Sequence, residues 1–244
     1  MNRLLIVAFC NLLILSSCHY FRGEHMRGTG NVITQTRDVS HFTGVDVSSA
    51  IDLYLKQDSA FAAKVVTDDN LQQYIQIREE NGILYIQQRD NTSLDPSGKI
   101  KVYISAPLFT SMRASGACNI TSENRLSSNE NISIDLSGAS DARLDIKALK
   151  ISAGLSGACT LALKGEAKEL SVDGSGSSNI KCFDLMTEQT KIDISGACDA
   201  EVFASVKLDI EASGSSDVKY RGNAAVSQNI SGAGSVKRVD TPTP

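Results

Sequence analysis

The chain has no tryptophan, and aromatic residues make up only 5% of its 244 positions. Sugar- and base-binding surfaces commonly stack their ligands on aromatic rings, so this scarcity argues against both kinds of platform. All three histidines (His19, His25 and His41) lie near the amino terminus, so the body of the chain has no imidazole for catalysis or metal ligation. Lys and Arg number 24 against 28 Asp and Glu, for a net charge of −4, and no basic cluster occurs. Nucleic acid is therefore not an expected partner. After residue 15 there is no long apolar run, so no second membrane segment is expected.

What is present begins with an address label. Arg3 is followed by a mostly apolar stretch from Leu4 to Leu15, too short to span a bilayer but suited to a signal peptide. Leu15-Ser16-Ser17-Cys18 resembles a bacterial lipobox, which implies a signal peptide over 1–17, cleavage before Cys18 and lipidation of that residue. Acyl chains contribute about 0.8 kcal/mol per buried CH₂, so several on one residue anchor a protein to a membrane. Residues 18–29 are then a lipidated tether. No acidic run of the kind that marks surface export follows Cys18, so the expected place is an outer-membrane lipoprotein, with the periplasmic face favoured over the cell surface.

The body of the chain is a repeat. Ser-Gly followed by Ala or Ser begins at Ser115, Ser137, Ser156, Ser175, Ser195, Ser213 and Ser231, at intervals of 18–22 residues. Aligned on the serine, aliphatic residues fall into columns at odd offsets. Leu136, Leu155, Ile194 and Ile230 stand one before it; Ile120, Ala142, Leu161, Ile180, Ala200, Val218 and Val236 stand five after. The residues six after are mostly polar, from Thr121 and Arg143 to Lys237. Period-two alternation on both sides of a tight turn means strand, Ser-Gly turn, strand, looser turn. The expected fold is all-β: a right-handed, single-chain parallel β-helix or solenoid with coils of about 19 residues, stacked about 4.8 Å apart. The glycine column fits a corner of positive φ. An antiparallel meander explains the alternation but requires no small-residue column.

Residues 111–238 hold these repeats, and 239–244 form a tail whose prolines, with Lys237 and Arg238, suit the blunting of an open edge. Residues 30–110 are expected to begin and cap the solenoid. There Ser48-Ser49-Ala50-Ile51-Asp52-Leu53 overlays Ser115-Gly116-Ala117-Cys118-Asn119-Ile120. Alternating runs on either side of Asn81-Gly82 signal a hairpin.

Two columns bear on chemistry. Cys118, Cys159 and Cys198 stand three after the serine and alternate with Ser140, Ser178 and Ser216. Two coils apart, these thiols are about 9–10 Å from one another, beyond disulfide or zinc reach. With Cys182 they are expected to be free and buried. The column four after the serine carries Asn119, Asp141, Thr160, Asn179, Asp199, Asp217 and Ser235. Such side chains satisfy backbone groups at turns. If Ca²⁺ binds, Asp199 and Asp217 on adjacent coils are the candidates. No other metal ligand set and no cofactor site is expected.

The set of motifs resembles one bacterial family of unknown function, the putative auto-transporter adhesin, head GIN domain. The matching pieces are Gly30-Asn31-Val32, Arg37-Asp38-Val39 with Phe42, Asp68-Asp69-Asn70-Leu71, Gly82-Ile83-Leu84-Tyr85-Ile86, Ile104-Ser105-Ala106-Pro107-Leu108 and the Ser-Gly-Ala units, over about residues 30–238. The resemblance implies a β-helix-like fold in secreted or envelope proteins and supplies no catalytic residues. The expected function is a non-catalytic envelope lipoprotein, an adhesin-like binding module for an unknown protein or polysaccharide, held to the membrane through its lipid. The alternatives are a structural or assembly component without a ligand, and a β-helix carbohydrate-active enzyme. The near-constant repeat intervals offer few long loops to wall a catalytic cleft. Flat solenoid faces admit homo-oligomers.

Overall fold

The computed structural model describes residues 24–239. The expected signal peptide over 1–17, Cys18 with residues 19–23 of the expected tether, and residues 240–244 of the tail lie outside the described residues. The rest is a β-solenoid of about seven turns. Every Ser-Gly repeat pairs in parallel with the next, in the register that the serine alignment requires: Ser137↔Ser156, Ser156↔Ser175, Ser175↔Ser195, Ser195↔Ser213 and Ser213↔Ser231. That register excludes the antiparallel meander for the repeats.

The odd-offset columns form the core. Ile134, Leu136, Val172, Ile192, Ile194, Leu208 and Ile210 are all buried, as are Ile120, Leu161, Ile180 and Val218 beyond the turn. Parallel stacking puts like residue on like residue, so each column is a continuous apolar stripe along the solenoid axis.

The looser turn expected between the two strands of a coil is not a turn in the central repeats. Asp141–Gly157, Thr160–Gly176 and Asn179–Gly196 are each one unbroken strand. The corner comes from a change of parity: Ala148 and Ile151 are buried, while Leu149 and Lys150 between them both face outward. Two consecutive outward residues bend the coil while the pairings Ala148↔Ala167 and Lys150↔Glu169 continue across it. The 20-residue interval from Ser175 to Ser195 takes up its extra residue as a register shift between Ala162 and Lys164.

The Ser-Gly corner is closed by backbone alone. Gly176 has φ +91°, and a Cβ there would lie 2.5 Å from the carbonyl oxygen of Gly157 in the coil beneath. That same oxygen accepts the Ser177 N–H at 2.8 Å. Ser49 is the one non-glycine at this corner, with φ +84°. It is tolerated because the coil beneath it has no Ser-Gly corner; its hydroxyl there accepts from the Gln88 N–H at 3.5 Å.

Inside the same corner lies the Cys/Ser column. Cys118, Cys159, Cys182 and Cys198 are free and buried, and Ser140, Ser178 and Ser216 are buried with them. Burial pushes the Cys182 thiol up to about 12, and burial also raises Cys118. The alternation has a cause that hydrophobicity does not supply. The Ser140 hydroxyl donates to the Ser137 carbonyl at 2.9 Å, and the Cys118 thiol donates to the Ser115 carbonyl at 3.3 Å. Both side chains are small donors that cap the turn three residues back. Cys198→Ser is therefore expected to change stability by no more than about 1 kcal/mol. Cys198→Val removes the donor and overfills the corner, at a cost of about 1–3 kcal/mol. Urea melts of the two variants check this order.

The amino-terminal end is built out of sequence order. The coil Gly44–Ser49 with Ile51–Gln57 sits between Ser111–Gly116 with Asn119–Ser122 on one side and Ile83–Gln88 with Ile100–Ala106 on the other. The register Ser115↔Ser48 and Ile120↔Leu53 is that of the sequence overlay. Antiparallel strands close the outer edge: Ile75–Glu80 on Ile83–Gln88, Ala62–Asp68 on Ile100–Ala106, and Val32–Arg37 on Ala62–Asp68. Asn81 and Gly82, with φ +52° and +76°, make the hairpin turn.

Two of the family-like motifs clasp each other here. The buried Asp68 carboxylate accepts from Gly30 N–H at 2.7 Å, Ser97 N–H at 2.9 Å and Ser97 Oγ at 2.7 Å. Asp69 accepts from Asn31 Nδ2 at 2.9 Å, and Asn70 Nδ2 donates to the Arg27 carbonyl at 2.8 Å. Burial works to raise the Asp68 pKa, but the hydrogen bonds from Ser97 and Gly30 outweigh it and hold the carboxyl below its ordinary value.

Candidate binding groove

With odd offsets in the core, even offsets make the surface. On the strand before each turn, Ser111, Ser133, Ser152 and Ser171 stand four before the turn serine. Two before it, the stacked register runs Asp46, Arg113, Asp135, Gly154, Asp173, Asp193. With the turn serines, two coils carry a full Ser-x-Asp-x-Ser face, Ser133–Ser137 and Ser171–Ser175. A groove of about 590 Å³ follows this face, bounded by Asp46 and Arg113 at one end and by Asp193 and Ser195 at the other. At about 4.8 Å per coil, the stretch from Ser115 to Ser195 is about 19 Å long. Gly154 opens its middle: a Cβ there would meet only Asp135 Oδ1, at 3.0 Å.

The two ends of the groove differ in charge. Arg113 lies between Asp46 and Asp135, with its Nε 3.7 Å from Asp135 Oδ2. Partial burial raises the Asp46 pKa, against the pull of Arg113. Asp173 and Asp193 are direct neighbours, with Glu211 next in register. Among the described residues, neither Asp173 nor Asp193 makes an ion pair. The groove therefore offers hydroxyls throughout, a cation at one end and unpaired carboxylates at the other. Its chemistry is that of hydrogen bonding to hydroxyls and amines.

This column was not singled out from sequence, although the same alignment contains it; whether a row of outward residues lines a groove or a ridge depends on coil curvature. A second hollow, of about 530 Å³, lies at the parity-change corner among Leu149, Lys168, Met186 and Phe203. Leu149 is 57% exposed and Met186 49%.

The Ca²⁺ candidates Asp199 and Asp217 do stand side by side. Asp217 Oδ1 is already taken by Ser235, accepting its N–H at 3.0 Å and its hydroxyl at 2.6 Å. Lys181 and Lys219 share the surrounding surface. No group of three metal-ligating side chains occurs among the described residues, and among them no helix is long and apolar enough to cross a membrane.

Comparison with solved structures gives the same architecture. An adhesin-like protein from Bacteroides fragilis superposes with a TM-score of 0.82 at 20% identity, over 88% of this chain and 100% of that one. A protein from Parabacteroides distasonis described as a putative lipid binding protein gives 0.72 at 21% identity, over 89% and 100%. A putative adhesin from the same species gives 0.70 at 24% identity, over 88% and 100%. At these identities the likeness is one of fold. Among functionally curated proteins nothing matches. The family model described as "Putative auto-transporter adhesin, head GIN domain" matches residues 41–224, so the match takes in both the capped first coils and the Ser-Gly stack, and the chain belongs to that family.

Proposed function

We propose that this protein is a non-catalytic binding module of the bacterial envelope, anchored through a lipid on Cys18 and presenting the Ser/Asp groove to a linear polymer. The observation that carries the reading is the groove itself. It runs along the solenoid axis across successive coils, and a polymer laid along it meets a turn-serine hydroxyl about every 4.8 Å. The unpaired Asp173 and Asp193 favour a chain that bears amines as well as hydroxyls, such as an amino-sugar polysaccharide. The membership of an adhesin-like family and the carboxylate-rich wall both support a binding role.

The triple variant Asp135→Asn, Asp173→Asn, Asp193→Asn keeps side-chain volume and sits on the surface. Titrated with a soluble amino-sugar oligomer, it is expected to bind at least about tenfold more weakly than the wild type, because charge-assisted hydrogen bonds become neutral ones. Its melting temperature is expected to stay unchanged. Equal binding by wild type and variant would remove the groove from consideration. Placement is tested on cells: metabolic labelling with a fatty-acid probe should mark the protein and should be lost in Cys18→Ala. Protease added to intact cells should leave the solenoid untouched until lysis if the periplasmic face is correct.

A further inference from the structure

The two ends of the solenoid are finished differently. Antiparallel strands cover the amino-terminal end. At the other end the last coil consists of Ala225–Gly232 and Ser235–Arg238, which pair only with the coil before them among the described residues. Ala225 N–H donates backward to the Val206 carbonyl. Backbone groups alternate along a strand, so Val226, Gln228 and Ile230 direct their N–H and C=O groups to the open edge. The same three residues stand on the buried columns, in register with Leu208, Ile210 and Ala212.

We infer that this edge is the interface of an isologous dimer, in which Ala225–Gly232 pairs antiparallel with the same strand of a second copy about a two-fold axis at Gln228. Three features fit a second copy. The inward pattern Val226-x-Gln228-x-Ile230 is a near-palindrome: reversing it sets Val226 against the partner copy's Ile230 and Gln228 against its own equivalent. The residues that face inward are also those that offer free backbone groups, so one register satisfies hydrogen bonding and burial together. Finally, Ala225–Gly232 has no charged residue, so two copies meet without repulsion; the nearby Lys237 and Arg238 are on the other strand of the coil. Exposed edges are normally blunted by charge; on this coil the charges, Lys237 and Arg238, stand on the second strand and leave Ala225–Gly232 without any.

Gln228 is the polar member of a column that is otherwise apolar in Met112, Ile134, Val172, Ile192 and Ile210. Across the axis two Gln228 amides can bond each other, and a buried amide pair fixes register. An isologous pairing uses the same edge of both copies, so the assembly closes at two copies. The two amino-terminal ends then point away from each other.

The register is tested by mild oxidation of the full chain extracted in detergent. Ser227 and Asn229 face outward, and the two-fold sets each opposite the other at a non-hydrogen-bonded site, with Cα atoms about 4.5 Å apart. Ser227→Cys with Asn229→Cys is expected to give a disulfide-linked dimer. Ala225→Cys alone, about 20 Å from its own equivalent, is expected to give none. Gln228→Glu places two carboxylates at the axis and is expected to raise the dimer dissociation constant about a hundredfold or more at neutral pH in sedimentation velocity. Because that position is at an open end, the variant should fold, and its melting curve as a dilute monomer serves as the control. A monomeric wild type at high micromolar concentration, or equal crosslinking of the two cysteine variants, overturns the inference.

Discussion

Gly176→Ala is expected to destabilise the solenoid by about 2–5 kcal/mol. Positive φ costs an L-residue about 1–2 kcal/mol, and forcing a methyl into a filled site adds about 1–3 kcal/mol. The second part is hard to relax here. The atom struck is the Gly157 carbonyl oxygen, 2.5 Å from the new Cβ, and that oxygen is held by the Ser177 N–H. Moving it disturbs the hydrogen-bonded column in both neighbouring coils. For a chain of this size 1 kcal/mol corresponds to about 2–4 °C in Tm, so a fall of at least about 4 °C is expected in a thermal melt. Ser49→Gly at the equivalent corner is expected to be neutral or to gain up to about 1 kcal/mol, since it relieves positive φ and loses only a long hydrogen bond. If Gly176→Ala melts with the wild type, the corner is not the close-packed column described.

Asp68→Ala is expected to cost about 3 kcal/mol or more and to loosen the amino-terminal cap before the repeats. The carboxylate receives Gly30 N–H, Ser97 N–H and Ser97 Oγ; its removal strands buried donors, and bonds to a charged acceptor are each worth about 1.5–3 kcal/mol. Protease cutting between residues 24 and 40 should therefore precede cutting in the repeats. The pH dependence has a definite sign. Because the folded pKa of Asp68 lies below its ordinary value, its stabilisation is complete above the ordinary carboxylate pKa near about 3.9 and is lost as pH falls through the folded pKa. Wild-type protein should thus lose cap protection on acidification, measured by hydrogen exchange of the Gly30 and Ser97 amides. Asp68→Asn should show that loss already at neutral pH. Gly28→Ala should weaken the same clasp, since its Cβ would lie 2.4 Å from Asp68 Oδ2.

The repeat was legible because parallel stacking converts sequence period into spatial register. Aligning the serines at Ser137, Ser156 and Ser175 is the same operation as stacking their coils, so strand direction, core columns and glycine corner followed together. The signal was weakest where the chain stops repeating. The overlay of Ser48 on Ser115 placed the first coil correctly, yet nothing local to residues 75–106 shows that they pack beneath that coil. Nor did the Cys/Ser alternation explain itself: in sequence Cys198 reads as a small hydrophobe, and only its distance to the Ser195 carbonyl, 3.5 Å, shows that it works as a donor. In sequence the second corner reads as a looser turn; in the fold the strand runs on through it, with the pairing lapsing only at Leu149 and Lys168 as the parity changes.

The sequence by itself determined what repeats. Alternation, coil length and the left-handed corner are local properties of about 19 residues, and stacking multiplies them without further instruction. The tertiary structure decided what happens where identity ends: the groove along Asp135, Gly154 and Asp173, the Asp68 clasp, and the contrast between a first coil overlaid by antiparallel strands and a last coil that, among the described residues, pairs only with the coil before it. Each depends on which segments meet across tens of residues and on how the coils curve, and neither closeness across the chain nor curvature is written in the period of any single repeat.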